Sequence, residues 1–492
     1  MHPTLRAAIL SCLVVSAPVA SRAADVTPEQ ARTLEEQLRA WFASMAGPNL
    51  PVAASPIQVT PEGDHFHLMM PLAASKAQVK GWPTVTANAK PAMDGRWTIE
   101  GMHVQTPATF TVDTPMPAKP GEKARPPVPT TYTLTYATQE GGGTWDPTFA
   151  TPSNFSTNST GFRMVGEGGG SQQVTTIDSM VSATLLRPVA DNRVDFSLDA
   201  SGTGYAMRVK SGTGPAAGST MAVAVQQVKV QLSLPGVSRE RSAQVIPALV
   251  RLAPAPGATA GAKAPPNPEA VRMLMQALQG FASGATINEV LDGFIIESQG
   301  FGFATKQLRL GLDTKADGAF VNGAMDVGLD GLALPGMGLD TFADLLPSRV
   351  ILRPVVSHVP TKELLALLQA AGENPNSKPP PAQVAALFSQ GGLKAGLESF
   401  ALDMGGASFT GKADIDLPSP NAASGTAQVM ATNMDALLAK VQANPALAQA
   451  IPVIVFAKGI GRAEGGKLVW DMQFDSSKLL VNGVDLLKMG GK

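Results

Sequence analysis

The chain has 492 residues, 44% of them apolar and 16% charged, and a formal net charge of −1. The charged fraction is well below the roughly 25% of an ordinary soluble domain, and no Lys/Arg run is dense enough to neutralise a row of phosphates, which excludes nucleic acid as a partner. By length the chain forms two or three domains, or one body joined by a long sheet.

Residues 1–23 read as a signal peptide. Arg6 precedes an apolar run over 7–15, and Ser21-Arg22-Ala23 offers the small-x-small pattern of a cleavage site after Ala23. The mature chain is therefore expected in the periplasm or secreted. It is expected to have no transmembrane segment, since no later stretch holds the roughly 18 uninterrupted apolar residues a span needs. Cys12 is the single cysteine. Most of the hydrophobic run follows it, unlike a lipoprotein signal, and its removal leaves no disulfide or thiol chemistry.

Residues 24–50 form an N-terminal amphipathic helix: Thr27 at the cap, Pro28 in the first turn, Gln30 at capping-box spacing, and a stripe of Ala31, Leu34, Leu38, Trp41, Phe42 and Met45. Glu29, Glu35 and Glu36 make its polar side unattractive to anionic lipid, so it is expected to lie on a sheet. Residues 51–253 are β-rich, with alternation over 96–104, 131–136, 194–199 and 223–234, and a proline-rich loop over 117–129. Ser238 opens a short helix carrying Val245, Ile246, Leu249, Val250 and Leu252 despite Pro247. Residues 254–268, nearly all Ala, Pro, Gly and Lys, are a linker and the expected domain boundary.

Residues 269–492 read as an α+β region of strand-helix units. Asn267-Pro268-Glu269 opens a helix with Val271, Leu274, Met275 and Leu278 inward, and 287–291 adds a short one. Strands follow at 294–296, 307–313 and 319–329, a helix at 340–346, a strand at 349–356 and a helix at 361–371. A proline-rich loop at 374–381 leads to a helix at 382–389. The last stretch, 396–487, has strands at 399–402, 408–417 and 425–431, a helix at 435–442 capped by Thr432 or Asn433, and a hairpin of 467–474 with 479–483. Phe409, Ala413, Ile415 and Leu417 share one strand face, opposite Thr410, Lys412, Asp414 and Asp416. Leu437, Leu438 and Val441 are expected to roof that apolar face. Residues 174–252, 294–371 and 397–442 each read as strands followed by a helical cover, and 340–346 resembles 433–438. The expected fold is α+β and β-rich: an elongated, curved antiparallel sheet of repeated β-meanders with short covering helices.

Few residues carry a chemical signature. His65 and His67 share a strand face and with a third ligand would suit a metal, His103 and His358 being the other mature histidines, but an exposed strand pair is the better account. Residues 406–413 match a phosphate loop until Ala413 replaces the hydroxyl residue that holds the metal ion, and 461–467 fails likewise at Leu468. Lys210-Ser211-Gly212 matches a strand motif of penicillin-recognising enzymes without the Ser-x-x-Lys nucleophile. Asp414 and Asp416 lie on a solvated face, and aromatics, at 5%, are too scarce for a sugar cleft. The sequence assigns no catalytic, cofactor-binding or metal residue.

The exported start, the turn at Asp313-Thr314-Lys315-Ala316-Asp317-Gly318, the helix-capped meander and the ending Leu479-Leu480-Val481-Asn482-Gly483-Val484-Asp485-Leu486 resemble a proteobacterial envelope family known only by a domain of unknown function. That family is loosely similar to YdgA-like and AsmA-like proteins. The resemblance implies a curved β-groove for lipid, although AsmA-like relatives are anchored in the membrane and this chain begins with a cleavable signal. The sequence is thus expected to encode a non-enzymatic periplasmic protein with lipid, or another envelope protein, as partner. An apolar face left open would favour lipid or another apolar ligand. A face closed by its own helices would favour a structural or protein-interaction module, and an exported hydrolase comes third.

Overall fold

Period-two alternation governs most of the chain, and in the computed structural model strand holds 61% of the described residues against 21% helix. The structure describes residues 26–45, 57–71, 79–81, 83–92, 96–114, 128–146, 151–189, 192–212, 218–252, 268–373, 378–475 and 477–489. Residues 1–23, expected to be a signal peptide, nearly all of the linker 254–268 and most of the loop 117–129 lie outside them. Every strand pairing is antiparallel and the strands do not close into a barrel. The β-rich fold with short helices is the one expected. The chain divides into two compact units, one of Met1–Ser283 with Ala371–Asn376 and one of Gly284–Ala370 with Ser377–Lys492.

The first unit opens with α1 (Pro28–Met45), whose Gln30 N–H donates to Thr27 Oγ1 at 3.3 Å. The return bond of a capping box is absent, since Gln30 Oε1 is buried without a partner. Strands β1 (Gln58–Glu62), β2 (His65–Pro71), β3 (Val79–Lys80), β4 (Thr84–Pro91), β5 (Trp97–Val104), β6 (Ala108–Thr114), β7 (Val128–Thr135) and β8 (Thr138–Asp146) follow. Ala31, Leu34 and Leu38 pack on Phe66, Leu68, Met70, Ala87, Ala89 and Trp145, so α1 lies on the sheet. The side chains of Trp41, Phe42 and Met45 fall outside the described residues. Pro129, expected in a loop, stands inside β7 opposite Asp113.

Long strands β9 (Thr151–Gly168), β10 (Ser171–Val189), β11 (Arg193–Lys210) and β12 (Thr220–Ser238) continue the unit. One edge of β9 is shared end to end by β8 and β7 while its other edge takes β10, which is how short strands join long ones. Helix α2 (Arg239–Leu252) is capped by Ser238 Oγ, which accepts from Arg241 N–H at 3.4 Å. Its Val245 and Ala248 pack against Leu274 and Ala277 of α3 (Pro268–Leu278). The linker 254–268 therefore joins two packed helices of one unit, and the division falls after Ser283. A linker between packed partners does not separate domains, because the burial between the helices on either side of it holds them together.

The second unit is a meander of β13 (Gly284–Ser298), β14 (Phe301–Asp317), β15 (Phe320–Asp330), β16 (Arg349–Pro360), β17 (Leu393–Met404), β18 (Ala407–Ser419) and β19 (Ala422–Thr432). It continues to β20 (Arg462–Glu464), β21 (Lys467–Phe474), β22 (Leu479–Val481) and β23 (Val484–Asp485), with β21 between β19 and β22. The short helix expected at 287–291 is instead part of β13. Ile287 pairs with Leu312 and Leu291 with Leu308, and cross-strand pairing outweighs a five-residue helical pattern. The helix expected at 340–346 is a 3-10 helix, Asp340–Leu345. Helices α4 (Thr361–Glu373), α5 (Pro381–Ala386), α6 (Met434–Gln442) and α7 (Ile451–Ile460), a 3-10 helix Pro445–Ala450, and α8 (Leu486–Met489) complete the unit. Asn433 precedes α6 at φ +56 and makes no side-chain cap bond, contrary to its expected capping role.

Among the described residues, the sheet of this unit is roofed at one end. Met434, Leu437 and Val441 of α6 and Ile451, Ile454 and Ala457 of α7 pack over Ala407, Ala431 and Trp470, and Trp470 Nε1 donates to Ala457 O at 2.8 Å. Gly405, at φ +60, makes the β17–β18 turn directly beneath Leu437; a Cβ there would stand 2.5 Å from Leu437 Cδ1. Among the described residues, the helices expected to roof the strands of 174–252 and 294–371 do not do so. Helices α4 and α5 bury no side chain, and α2 packs on α3.

Candidate functional site

Register across β13 to β17 assigns each side chain to a face, because directly paired residues of antiparallel strands point the same way. One face carries Ile287 and Leu291 of β13, Leu308, Leu310 and Leu312 of β14, and Met325, Val327 and Leu329 of β15. It continues through Val350, Leu352 and Val356 of β16 and Ala395, Leu397, Phe400 and Leu402 of β17. None of these is buried, and Leu310 is 43%, Leu312 42%, Met325 49% and Val356 38% exposed. The same face continues beneath α6 and α7 through Phe409, Val429 and Leu468, where it is covered.

Five strands at roughly 4.8 Å spacing make this open strip about 19 Å wide. With two to four apolar side chains along each strand it covers about 400 Å², as large as the biggest apolar patch of a typical monomer. Water against so much hydrocarbon is unfavourable in proportion to area, so the strip is a surface whose free energy falls when an apolar partner covers it.

The opposite face is charged. Arg353 on β16 bridges Asp326 on β15 and donates from Nε to Glu398 on β17 at 2.6 Å, and these two carboxylates hold its guanidinium still further toward the protonated form. Gln428 donates to Asp471 at 2.8 Å, and Arg462 bridges Asp471 at 2.8 Å and Glu464 at 3.0 Å. Lys412, Asp414, Gln428, Arg462, Asp471 and Asn482 line a recess of about 610 Å³ on this side. Its cations and carboxylates balance each other and stay hydrated. The sheet is thus amphipathic through its thickness.

Residues singled out in the sequence are dispersed. His67 Nδ1 lies 3.3 Å from Asn88 Oδ1, and His103 Nε2 lies 3.1 Å from Thr86 Oγ1, on the polar face of the first unit. Nearby, Asp64 is held below the usual carboxylate range by its hydrogen bond to His65 and then by Lys90. His358, at φ +63, stacks on Phe320 at 3.8 Å in a bulge of β16. Among the described residues no three of His, Cys, Asp and Glu come together as a metal site. Residues 406–413 form a turn and the start of β18, with Lys412 and Asp414 exposed, as is Asp416; 461–467 form β20 and a glycine turn. Lys210 ends β11, and Ser211 N–H donates to Ser219 O. Asn482 of the terminal motif is a clamp: its Nδ2 donates to Ile460 O and Val469 O at 2.8 Å each, and its Oδ1 accepts from Asp471 N–H at 2.9 Å.

The uncovered strip was only half visible in the sequence. Alternation identified the apolar positions, but the assumption that each meander carries its own roof hid their exposure. Residues 361–371 carry no warning of this: Leu364, Leu365, Leu367 and Leu368 fall within one side of the helix, the pattern of a helix that covers a sheet. The chain matches no protein-family model, and no curated protein or solved structure is similar to it.

Proposed function

We propose that the open apolar face of β13 to β17 holds lipid acyl chains, or another extended apolar ligand, and that the chain serves the cell envelope as a non-enzymatic periplasmic carrier. The observation that carries this reading is the exposure of Leu310, Leu312, Met325 and Val356 on one contiguous face. A single acyl chain spans about half the roughly 30 Å hydrocarbon core of a bilayer, so about 15 Å, which the strip accommodates. Signal cleavage after Ala23 would deliver the chain to a compartment bordered by two membranes, where lipids in transit need shelter from water.

Protein purified from the periplasm under native conditions, analysed by native mass spectrometry with lipid extraction, tests the reading. Copurifying lipid that is lost in a Leu312→Lys, Met325→Lys variant is the expected result; an empty wild-type protein would refute it. A second reading, a protein-interaction module, is favoured by α7, where Val453 is 67%, Val455 50% and Phe456 45% exposed on the side turned away from the core. It requires a stoichiometric protein partner in the same preparation.

A further inference from the structure

Lys306 stands at the rim of the open face, two residues before Leu308, and Glu289 is the charged residue set among its apolar rows. Glu289 stands opposite Leu310 in the β13/β14 register, with Ile287 and Leu291 two residues away on its own strand. It is half-buried, and no hydrogen bond or ion pair engages it among the described residues. The polar groups of neighbouring strand positions meet partners on the other face: Thr286 with Asp313, and Gln307 with Asp292. From Glu289 a straight row of directly paired residues crosses the sheet through Leu310, Val327 and Leu352 to Phe400. At roughly 4.8 Å per strand that row is about 19 Å long.

A bare hydrocarbon chain laid over this row would strip water from the Glu289 carboxylate and return nothing to it, a desolvation that burial of methylenes does not offset. An ammonium beside the chain removes the conflict, since it brings the opposite charge and N–H donors to the same point, and the low dielectric of the covered face strengthens the pair. We propose that the ligand is an amphiphile whose headgroup bears a primary ammonium, an aminophospholipid, seated with the ammonium on Glu289 and a chain along Leu310, Val327 and Leu352 toward Phe400. This rests on the reading of the face as a lipid site and adds the headgroup and the direction of the chain.

The test incubates the mature protein with vesicles of phosphatidylethanolamine and phosphatidylglycerol in equal amounts, reisolates it and quantifies both lipids. Phosphatidylethanolamine is expected to be enriched about tenfold, the factor of a single charge-assisted contact. Glu289→Gln should equalise the two lipids while total loading persists, and Asp414→Asn on the opposite face should leave the enrichment unchanged. Equal uptake by the wild type, or enrichment that survives Glu289→Gln, overturns the headgroup assignment alone. If neither lipid loads, the lipid reading falls with it. If Glu289 merely keeps an apolar face soluble, the Gln variant aggregates and its lipid ratio does not move.

Discussion

The three tyrosines report how dry the sheet of the first unit is at single positions. Tyr132 stacks on Phe110 with ring centroids 5.3 Å apart, Tyr136 meets Phe162 edge-on at 5.2 Å, and Tyr205 lies against Met207 Sδ at 3.9 Å. Burial pushes each phenol above its usual value, because the phenolate loses hydration there. The neutral form is thus favoured in the folded state, so the associated stability is complete below the ordinary phenol range, near about 10, and is lost as pH rises through the folded values. A spectrophotometric titration of native protein should show tyrosinate absorbance rising late, and the same titration in denaturant should return to the ordinary range. A native curve superimposable on the denatured one would mean these faces are open to water. At the same scale Asn482 explains the terminal Val-Asn-Gly. Its left-handed φ of +49 and three side-chain hydrogen bonds tie β21, β22 and the end of α7 together, a structural role.

Among the elements, α6 and α7 separate covered from uncovered sheet, and the same side-chain deletion distinguishes the two. Leu437 on α6 is 6% exposed in the cluster with Trp470, so Leu437→Ala removes transfer energy and leaves a cavity, costing about 2–5 kcal/mol. Leu310 on β14 has no cover, so Leu310→Ala should cost less than about 1 kcal/mol and leave no cavity. Urea denaturation followed by Trp fluorescence and circular dichroism checks both. A loss at Leu310 as large as at Leu437 would show that something covers that face in solution. The exposed outer residues of α7 extend the point: a helix apolar on all sides is normally enclosed, and this one is enclosed on one side only.

For the molecule as a whole, an open apolar face predicts that the native protein binds a polarity-sensitive dye without unfolding. Fluorescence enhancement is expected at neutral pH and should fall by roughly half or more when Leu310 and Met325 are both replaced by Lys. Absence of enhancement in the native protein would count against an accessible strip. Much of this architecture was legible in residue order. Strand alternation in 396–487 marked β17, β18, β19, β21 and β22, and Thr27-Pro28 and Ser238 marked two helix starts, because period and cap chemistry are local properties. Residues 287–291 carry a five-residue pattern that fits both helix and strand, and only pairing with Leu308 to Leu312 decides between them. Alternation by itself determined that one face of the second unit is apolar and the other charged, since side-chain direction follows from the backbone repeat. Only the tertiary structure decided that this face is roofed at β18 to β21 and open from β13 to β17, with Glu289 in the open part. Where a helix comes to rest depends on long-range packing, and that is not written in the period of the strands it covers or leaves bare.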